Sequence, residues 1–179
     1  MEARRRAVDP EGARRAGEAA AAHLANAPEY QRCRRLVPYA ELAGELPLAS
    51  VIAAASAAGK QLLWPRLSDR GGLEFAPVER LAELTPGRAG VREPPSAALA
   101  VGLGPDVLLL VPGLAFDLRG GRLGRGGGVW DRALGARHGA IAIGVGYEFQ
   151  IVDEVPHEPH DRPVDLLLTE REMRRCGER

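Results

Sequence analysis

The residues best suited to chemistry lie in a glycine-rich stretch in the second half of the sequence. From Gly120 to Gly128 six of nine residues are glycine, and Arg122 and Arg125 lie among them. Glycine minimises Cβ bulk, so backbone N–H groups can close directly around an anion. The two guanidinium groups add charge and forked donors that match phosphate oxygens. The pattern predicts a phosphate-binding loop, with a generic glycine-rich surface loop as the alternative.

This loop follows neither of two common phosphate-binding motifs. It lacks the Lys-Ser/Thr ending of a P-loop, and Val129 stands where the dinucleotide-binding spacing requires glycine. A helix predicted from Val129 to Arg137 begins where the glycines end. Its unpaired amides and positive dipole end would therefore face a bound phosphate. Spacing alone leaves the class of phosphate ligand open.

The elements around the loop alternate between strands and helices. Alanine-rich stretches predict helices at 10–26, ended by Pro28, and at 48–58, ended by Gly59. Apolar runs predict strands at 35–39, 60–64, 73–75, 106–112, 140–145 and 165–169. Strand, helix and strand in this order predict an α/β fold with a mostly parallel sheet flanked by helices. Binding loops of such a sheet lie beyond the carboxyl ends of its strands.

Two of these strands carry more specific predictions, one about burial and one about where the strand ends. The run from Asp106 to Pro112 has no polar alternation, which is typical of a strand covered on both faces. Pro65 is expected to close the strand at 60–64. The segment 66–105 is rich in glycine and proline, which predicts loops and edge structure around the short strand at 73–75.

Composition limits the classes of partner. A chain of 179 residues with 45% hydrophobic content predicts one folded domain, 1–179. Basic and acidic residues balance at 24 each, which argues against nucleic acid or an anionic membrane as a partner. The two cysteines form no CxxC pair. The N-terminus lacks the charged-then-apolar order of a signal peptide, and no stretch is long and apolar enough to span a membrane. We expect a cytoplasmic monomer that binds a small-molecule substrate.

The sequence around the loop is similar to the signature of the 5-formyltetrahydrofolate cyclo-ligase family. Residues 111–117 read VPGLAFD and residues 122–132 read RLGRGGGVWDR, whereas the family is usually written VPGLAFD and RLGxGxGYYDR. Matches in the same order continue at Glu45, Gly59-Lys60, Gln150, Val155-Pro156, His160-Asp161 and Val164-Asp165. The resemblance covers nearly the whole chain.

This resemblance implies a fold like that of sugar-phosphate isomerases and CoA transferases. It also implies ATP- and Mg²⁺-dependent closure of 5-formyltetrahydrofolate to 5,10-methenyltetrahydrofolate. The formyl oxygen is a poor leaving group, so the γ-phosphoryl group of ATP would be transferred to it. The neighbouring folate nitrogen would then attack the iminium phosphate, and phosphate would depart. Such chemistry asks the protein mainly to position groups and to neutralise charge.

The resemblance also assigns roles by position. Arg125 is the implied catalytic residue, and Asp131 and Asp161 would hold Mg²⁺ as hard oxygen ligands. The implied ATP-binding residues are Arg122, Leu123, Gly124, Arg125, Gly126, Gly127, Gly128, Val129 and Trp130. The implied residues for the reduced folate are Glu45, Ala40, Arg125, Gly126, Gly127, Gly128 and Val129.

Each of these roles has a simpler alternative in the sequence. Asp131 lies in the first turn of a predicted helix, where an acid complements the helix dipole. In these alternatives Glu45 is a solvated loop acid and Trp130 is a packing residue. The stretch from Arg4 to Arg6 is then a solvated basic segment and does not clamp a phosphate. Pro159 separates His157 from His160 and argues against a zinc-binding helix.

The sequence also departs from the family pattern. Family members carry Lys-x-x-x-Arg ahead of the first helix, and an ungapped alignment from Gly59-Lys60 places those positions before Met1. A late start site, substitution by Arg4 to Arg6, or loss of the full reaction would each account for this. Val129 replaces a tyrosine, and Leu48 stands where the family usually has threonine.

Three functions therefore remain open from the sequence. The first is the cyclo-ligase reaction. The second is a divergent member of the family that binds nucleotide or folate without turnover. The third is an isomerase or transferase acting on a phosphorylated metabolite, which rests on fold analogy and the anion loop alone.

Overall fold

The computed structural model describes residues 1–177, which form five α-helices and twelve strands. The α-helices are α1 (Glu2–Arg6), α2 (Pro10–Ala25), α3 (Pro28–Arg32), α4 (Ala49–Ala57) and α5 (Val129–Gly135). The strands are β1 (Arg35–Val37), β2 (Gln61–Leu67), β3 (Leu73–Pro77), β4 (Thr85–Pro86), β5 (Arg92–Glu93), β6 (Val107–Pro112), β7 (Ala115–Asp117), β8 (Arg122–Leu123), β9 (Ile141–Val145), β10 (Ile151–Val152), β11 (Leu166–Leu168) and β12 (Met173–Arg175).

The largest sheet has seven strands in the order β12-β11-β9-β6-β1-β2-β3. Its inner pairings, from β11 through β9, β6 and β1 to β2, are all parallel. The two edge strands, β3 and β12, run antiparallel to their neighbours. The predicted α/β fold with a mostly parallel sheet is confirmed.

Strand β6 is the centre of the core. Leu108 and Leu110 pack into one hydrophobic cluster with residues of α2, α3 and α4. Leu109 and Val111 point to the other face and pack with residues of α5 and with Phe116. Because helices cover both faces, the strand carries no polar alternation, as its sequence predicted.

The helix predictions are confirmed in position, with small differences at the ends. α2 begins after Asp9, whose Oδ1 accepts a hydrogen bond from the Gly12 amide at 2.8 Å. α5 ends at Gly135 rather than at Arg137. α1 and α3, which have five residues each, were not predicted from the sequence. Helices this short leave no periodic signal.

The expectation that Pro65 closes a strand is wrong. β2 continues through Pro65 to Leu67, and Pro65 pairs with Phe75 of β3. The parallel pairing of β2 with β1 is confined to Gln61 and Leu62. Beyond that point β2 has a partner on one side only, and a strand edge tolerates the missing N–H of proline.

The segment 66–105 contains more structure than the predicted loops. Besides β3 it carries the antiparallel pair of β4 and β5 and turns of 3₁₀ helix at Leu81–Glu83 and Arg88–Gly90. A further small sheet, in the order β10-β7-β8, forms beside the main sheet. Among the described residues, no helix has the length and apolar character needed to cross a membrane.

Phe116 links this small sheet to the main one by packing against glycines. A Cβ atom on Gly144 of β9 would lie 2.6 Å from Phe116 Cε1, and a Cβ atom on Gly113 would lie 2.6 Å from Phe116 Cζ. The ring itself is fully buried. The close approach of β7 to the sheet therefore depends on the absence of side chains at both glycines.

We expect Gly144→Ala to lower the free energy of unfolding by about 1–3 kcal/mol, because the added methyl group overpacks the Phe116 ring. For a chain of this size the melting temperature falls by roughly 2–4 °C for each kcal/mol. Gly102→Ala is the matched control, since a Cβ atom there meets nothing within 4 Å. Thermal unfolding followed by circular dichroism measures both variants. Equal melting temperatures would contradict the packing constraint.

Candidate active site

A pocket of about 800 Å³ opens at the carboxyl ends of three neighbouring parallel strands. Its lining includes residues that follow β1, the last residues of β2 and residues that follow β6. Further lining comes from the glycine loop, defined here as residues 122–130, and from the segments 88–93 and 156–161. This is the edge of the sheet at which open α/β folds bind their ligands.

The structure brings all the candidate residues from the sequence to this one pocket. They come from the β1–α4 connection, from the glycine loop with the first turn of α5, and from the segment before β11. The pocket-lining candidates are Ala40, Glu45, Arg122, Leu123, Gly124, Arg125, Gly126, Gly127, Gly128, Val129, Trp130, Asp131 and Asp161.

The glycine-rich stretch divides into two halves with different roles. The Gly120 amide donates to the Asp117 carbonyl and the Gly121 amide to Asp117 Oδ1, both at 3.0 Å, which closes the β7–β8 hairpin. These first glycines therefore cannot contribute to an anion cage, and the prediction is wrong for them. Within residues 1–177, the amides of Gly124 to Gly128 donate to no protein acceptor. This second half is open to a ligand.

Arg122 and Asp131 form an ion pair within the lining of the pocket. Arg122 Nη2 lies 2.8 Å from Asp131 Oδ2, and the side chains are 5% and 12% exposed. The other carboxylate oxygen, Oδ1, is 3.5 Å from the Arg162 amide. Asp131 therefore does more than complement the dipole of α5, since it neutralises a buried guanidinium group.

Arg125 occupies the exposed side of the loop. Its Nη1 lies 3.0 Å from Glu2 Oε1, and both side chains are about half exposed, at 46% and 47%. Val129 is partly exposed to the pocket. Trp130 lines the pocket and also packs against the hydrophobic clusters on both faces of the sheet, so it has a structural role in the core as well.

Glu45 is buried, not solvated. Its side chain is 9% exposed, Oε2 accepts a hydrogen bond from the Leu42 amide at 2.9 Å, and Oε1 lies 3.5 Å from Arg5 Nη2. Burial raises the pKa of the Glu45 carboxyl, and the positive charges of Arg5 and Arg125 act in the opposite direction. The interpretation of Glu45 as a solvated loop acid is therefore wrong.

Arg5 also lines the pocket, although its sequence context gave it no role apart from its two arginine neighbours. It is 2% exposed, whereas Arg4 and Arg6 beside it are exposed. The interpretation of residues 4–6 as a solvated stretch is therefore wrong for Arg5. The sequence offers no signal that could have found it, because the three arginines are identical in type and adjacent in sequence.

Asp161 lies in the segment that precedes β11. Its Oδ2 accepts a hydrogen bond from the Glu158 amide at 2.7 Å, and its Oδ1 is 3.8 Å from His160 Nε2. In the described part of the chain, no group of three or more His, Cys, Asp or Glu side chains forms a metal cluster. Asp131 and Asp161 each retain one carboxylate oxygen without a strong protein partner. Such hard oxygen donors suit Mg²⁺ that keeps several of its waters.

Comparison with known proteins identifies the family. The model of the 5-formyltetrahydrofolate cyclo-ligase family matches residues 1–170. The chain belongs to this family. Its members are ligases, and the fold agrees with this membership.

Relatives in the cyclo-ligase family cover most of the chain. The 5-formyltetrahydrofolate cyclo-ligase of Escherichia coli K12 is 30% identical over 171 residues, which are 93% of this chain and 94% of that protein. The protein of the same name from Mycolicibacterium smegmatis is 45% identical over 82 residues, covering 45% of this chain and 42% of that protein. The NMR structure of Aquifex aeolicus 5,10-methenyltetrahydrofolate synthetase superimposes with a TM-score of 0.84 at 32% identity, covering 99% of this chain and 89% of that one.

We expect Asp131→Asn to lower the free energy of unfolding by about 3 kcal/mol, because it leaves the buried Arg122 guanidinium without its counter-charge. Chemical denaturation of the protein without ligand measures the change. Asp69→Asn is the control, since it breaks an ion pair with Arg88 in which the side chains are 89% and 58% exposed. Exposed pairs contribute little to stability. An equal effect of the two substitutions would contradict the buried pair.

Proposed function

We propose that this protein catalyses the ATP- and Mg²⁺-dependent cyclisation of 5-formyltetrahydrofolate to 5,10-methenyltetrahydrofolate. One observation carries the proposal: a single pocket combines a buried carboxylate, Glu45, with open amides in the second half of the glycine loop. The carboxylate suits the N–H donors of a pterin ring, and the amides suit the phosphates of a nucleotide. Membership of the cyclo-ligase family supports both assignments.

The glycine loop has the properties of a polyphosphate site. Gly126 and Gly128 adopt positive φ angles of 86° and 60°, which glycine adopts without strain. Within the described residues, their amides and that of Gly127 are free to donate to phosphate oxygens. Arg125 adds a guanidinium group on the exposed side of the loop. Its ion pair with Glu2 is exposed to solvent, so a phosphate group can replace Glu2 at little cost.

The metal would be held by Asp131 and Asp161, directly or through water. When bound, ATP supplies the phosphoryl group that makes the formyl oxygen a leaving group, and Mg²⁺ neutralises the phosphate charge. The remaining work belongs to the chain. Arg125 neutralises charge beside the loop, and the loop amides orient the phosphate tail.

Glu45 would orient the reduced folate. An ionised carboxylate accepts two parallel hydrogen bonds, and a pterin ring presents adjacent N–H donors. Ala40 lines the pocket on the same connection and leaves room for a flat ring. With the ring held, the nitrogen that closes the new five-membered ring is kept near the formyl carbon, and the cyclisation becomes an oriented intramolecular attack.

We further propose that residues 1–179 form one cyclo-ligase-like domain, which the match of the family model over residues 1–170 supports. The monomeric state and the cytoplasmic location stay predictions of the sequence. Binding of the substrate without turnover remains the competing function, and the activity measurement separates it from the proposal.

The purified protein is expected to form the methenyl chromophore from 5-formyltetrahydrofolate only when ATP and Mg²⁺ are both present. Asp161→Asn should raise the Mg²⁺ concentration for half-maximal rate by about tenfold or more, because a hard oxygen ligand is lost. Asp153→Asn, an exposed acid in the preceding segment, serves as the control. Thermal stabilisation by ATP or folate without any absorbance change would favour the non-catalytic function instead.

The affinity for the reduced folate should depend on the ionisation of Glu45. The raised pKa means that the carboxyl takes up its proton at a higher pH than an exposed glutamic acid does. The KM for 5-formyltetrahydrofolate should therefore rise as the pH is lowered towards that pKa, since a protonated carboxyl accepts fewer hydrogen bonds. Steady-state kinetics between pH 5 and 8 measure the profile.

Glu45→Gln provides the control for this pH dependence. The amide does not titrate, so the KM of the variant for 5-formyltetrahydrofolate should be raised at every pH. The further rise of KM at low pH, called here the acidic limb, should be absent. Retention of the same acidic limb in Glu45→Gln would show that another group is responsible.

A further inference from the structure

Arg5 joins three separate segments around the substrate end of the pocket. From α1, its Nε donates to the Gly44 carbonyl at 3.0 Å and its Nη1 to the Gly113 carbonyl at 3.3 Å. Its Nη2 lies 3.5 Å from Glu45 Oε1. The same Gly113 carbonyl also accepts a hydrogen bond from Gln150 Nε2 at 2.9 Å. One guanidinium group thus connects α1 to the turn after β1 and to the bend after β6.

The turn that carries Glu45 is fitted closely to the backbone of α1. Gly44 has a φ of +81°, and a Cβ atom there would lie 3.2 Å from the Arg5 carbonyl carbon and 3.3 Å from the Arg6 nitrogen. A side chain at this position would therefore push the turn away from the helix. Both the conformation and the space at Gly44 allow Arg5 to approach Glu45.

Within the described residues, the Arg5 Nη2 atom has the Glu45 carboxylate as its ion-pair partner. It is buried and makes no hydrogen bond, and the Glu45 carboxylate is the acidic group within ion-pair distance. An unpaired buried guanidinium group is strongly unfavourable, so it stays with the opposite charge. Because the Leu42 amide holds Oε2, the two contacts together restrict the plane of the carboxylate.

We propose that Arg5 is a positioning residue of the folate site, which holds the Glu45 carboxylate in the orientation that receives the substrate. This role rests on the proposed function, because it assigns the pterin ring to Glu45. Arg5 itself acts through Glu45 and does not contact the reacting atoms.

The groups that face Glu45 decide how the loss of Arg5 would change the pKa of the Glu45 carboxyl. They are Arg5 from α1, Arg125 from the glycine loop, and Tyr39 from the residues after β1. Burial keeps the pKa of Tyr39 well above its usual range, so Tyr39 stays neutral. Without Arg5, Arg125 is the remaining cation among the described residues that acts on the carboxylate, and since Arg125 is partly exposed the carboxylate becomes easier to protonate.

Arg5→Gln, Arg5→Lys and the control Arg6→Gln test this role in the full chain. Arg6 follows Arg5 on the same helix and is exposed. Arg5→Gln should raise the KM for 5-formyltetrahydrofolate by about tenfold or more with a much smaller change in kcat, because binding through a charged hydrogen-bonding group is weakened. The acidic limb of the KM profile should move to higher pH, and Arg5→Lys should restore part of that shift.

A second readout does not depend on turnover. In protein labelled with ¹³C in its glutamate carboxyl groups, the Glu45 signal is the one that Glu45→Gln removes. Its NMR titration should move to higher pH in Arg5→Gln and stay in place in Arg6→Gln. If Arg5→Gln fails to fold, the double variant Arg5→Gln/Glu45→Gln should fold again, because both buried charges are gone.

The outcomes separate the two proposals. A wild-type protein that is active, with Arg5→Gln equal to Arg6→Gln in KM, pH profile and titration, overturns the role of Arg5 and leaves the cyclo-ligase function standing. A wild-type protein that forms no methenyl chromophore overturns the proposed function and the role with it. A double variant that remains unfolded also overturns the pairing.

Discussion

The burial of the central parallel strands on both faces is the constraint on which the rest of this structure depends. In β6 the side chains alternate between two hydrophobic clusters, and neither face is left to solvent. A strand in this position has no place for a charged or catalytic side chain, since any polar group would need a buried partner. The polar residues therefore gather where the strands end, and the pocket at the carboxyl ends of β1, β2 and β6 is the consequence.

Charge balance inside the pocket is the second organising feature. Three of the arginines that line it face a carboxylate, in the pairs Arg5–Glu45, Arg122–Asp131 and Arg125–Glu2. The first two are buried, where the loss of one partner is costly, and the third is half exposed, where solvent replaces either partner easily. Of these three arginines, Arg125 is therefore the one whose partner is replaced with the least cost. The buried pairs maintain the shape of the pocket.

Two of the departures from the family pattern lie at Leu48, before α4, and at Val129, in the glycine loop. Leu48 lacks the hydroxyl group with which threonine would cap α4, and no side-chain cap is present at that position. The Leu48 amide donates to Glu41 Oε1 at 2.6 Å, a contact that anchors the start of α4 but does not replace a cap, since a capping side chain accepts from the amides of the first helical turn. The side chain of Leu48 is then free to be fully buried in the core. Val129 lacks both the hydroxyl group and the aromatic face of the tyrosine that it replaces.

The sequence by itself determined the fold class, the order of the longer helices and of the buried strands, and the position of the glycine loop. These features leave local signals, because burial on both faces, glycine runs and alanine-rich helices are visible within a few residues. Contacts between distant residues decided the rest. Arg5 is buried through carbonyls 39 and 108 positions away, at Gly44 and Gly113, and nothing near it in sequence distinguishes it from Arg4 or Arg6. The pairing of Arg122 with Asp131 likewise required the loop to close over α5, because charge pairing depends on distance in space and only weakly on spacing in sequence.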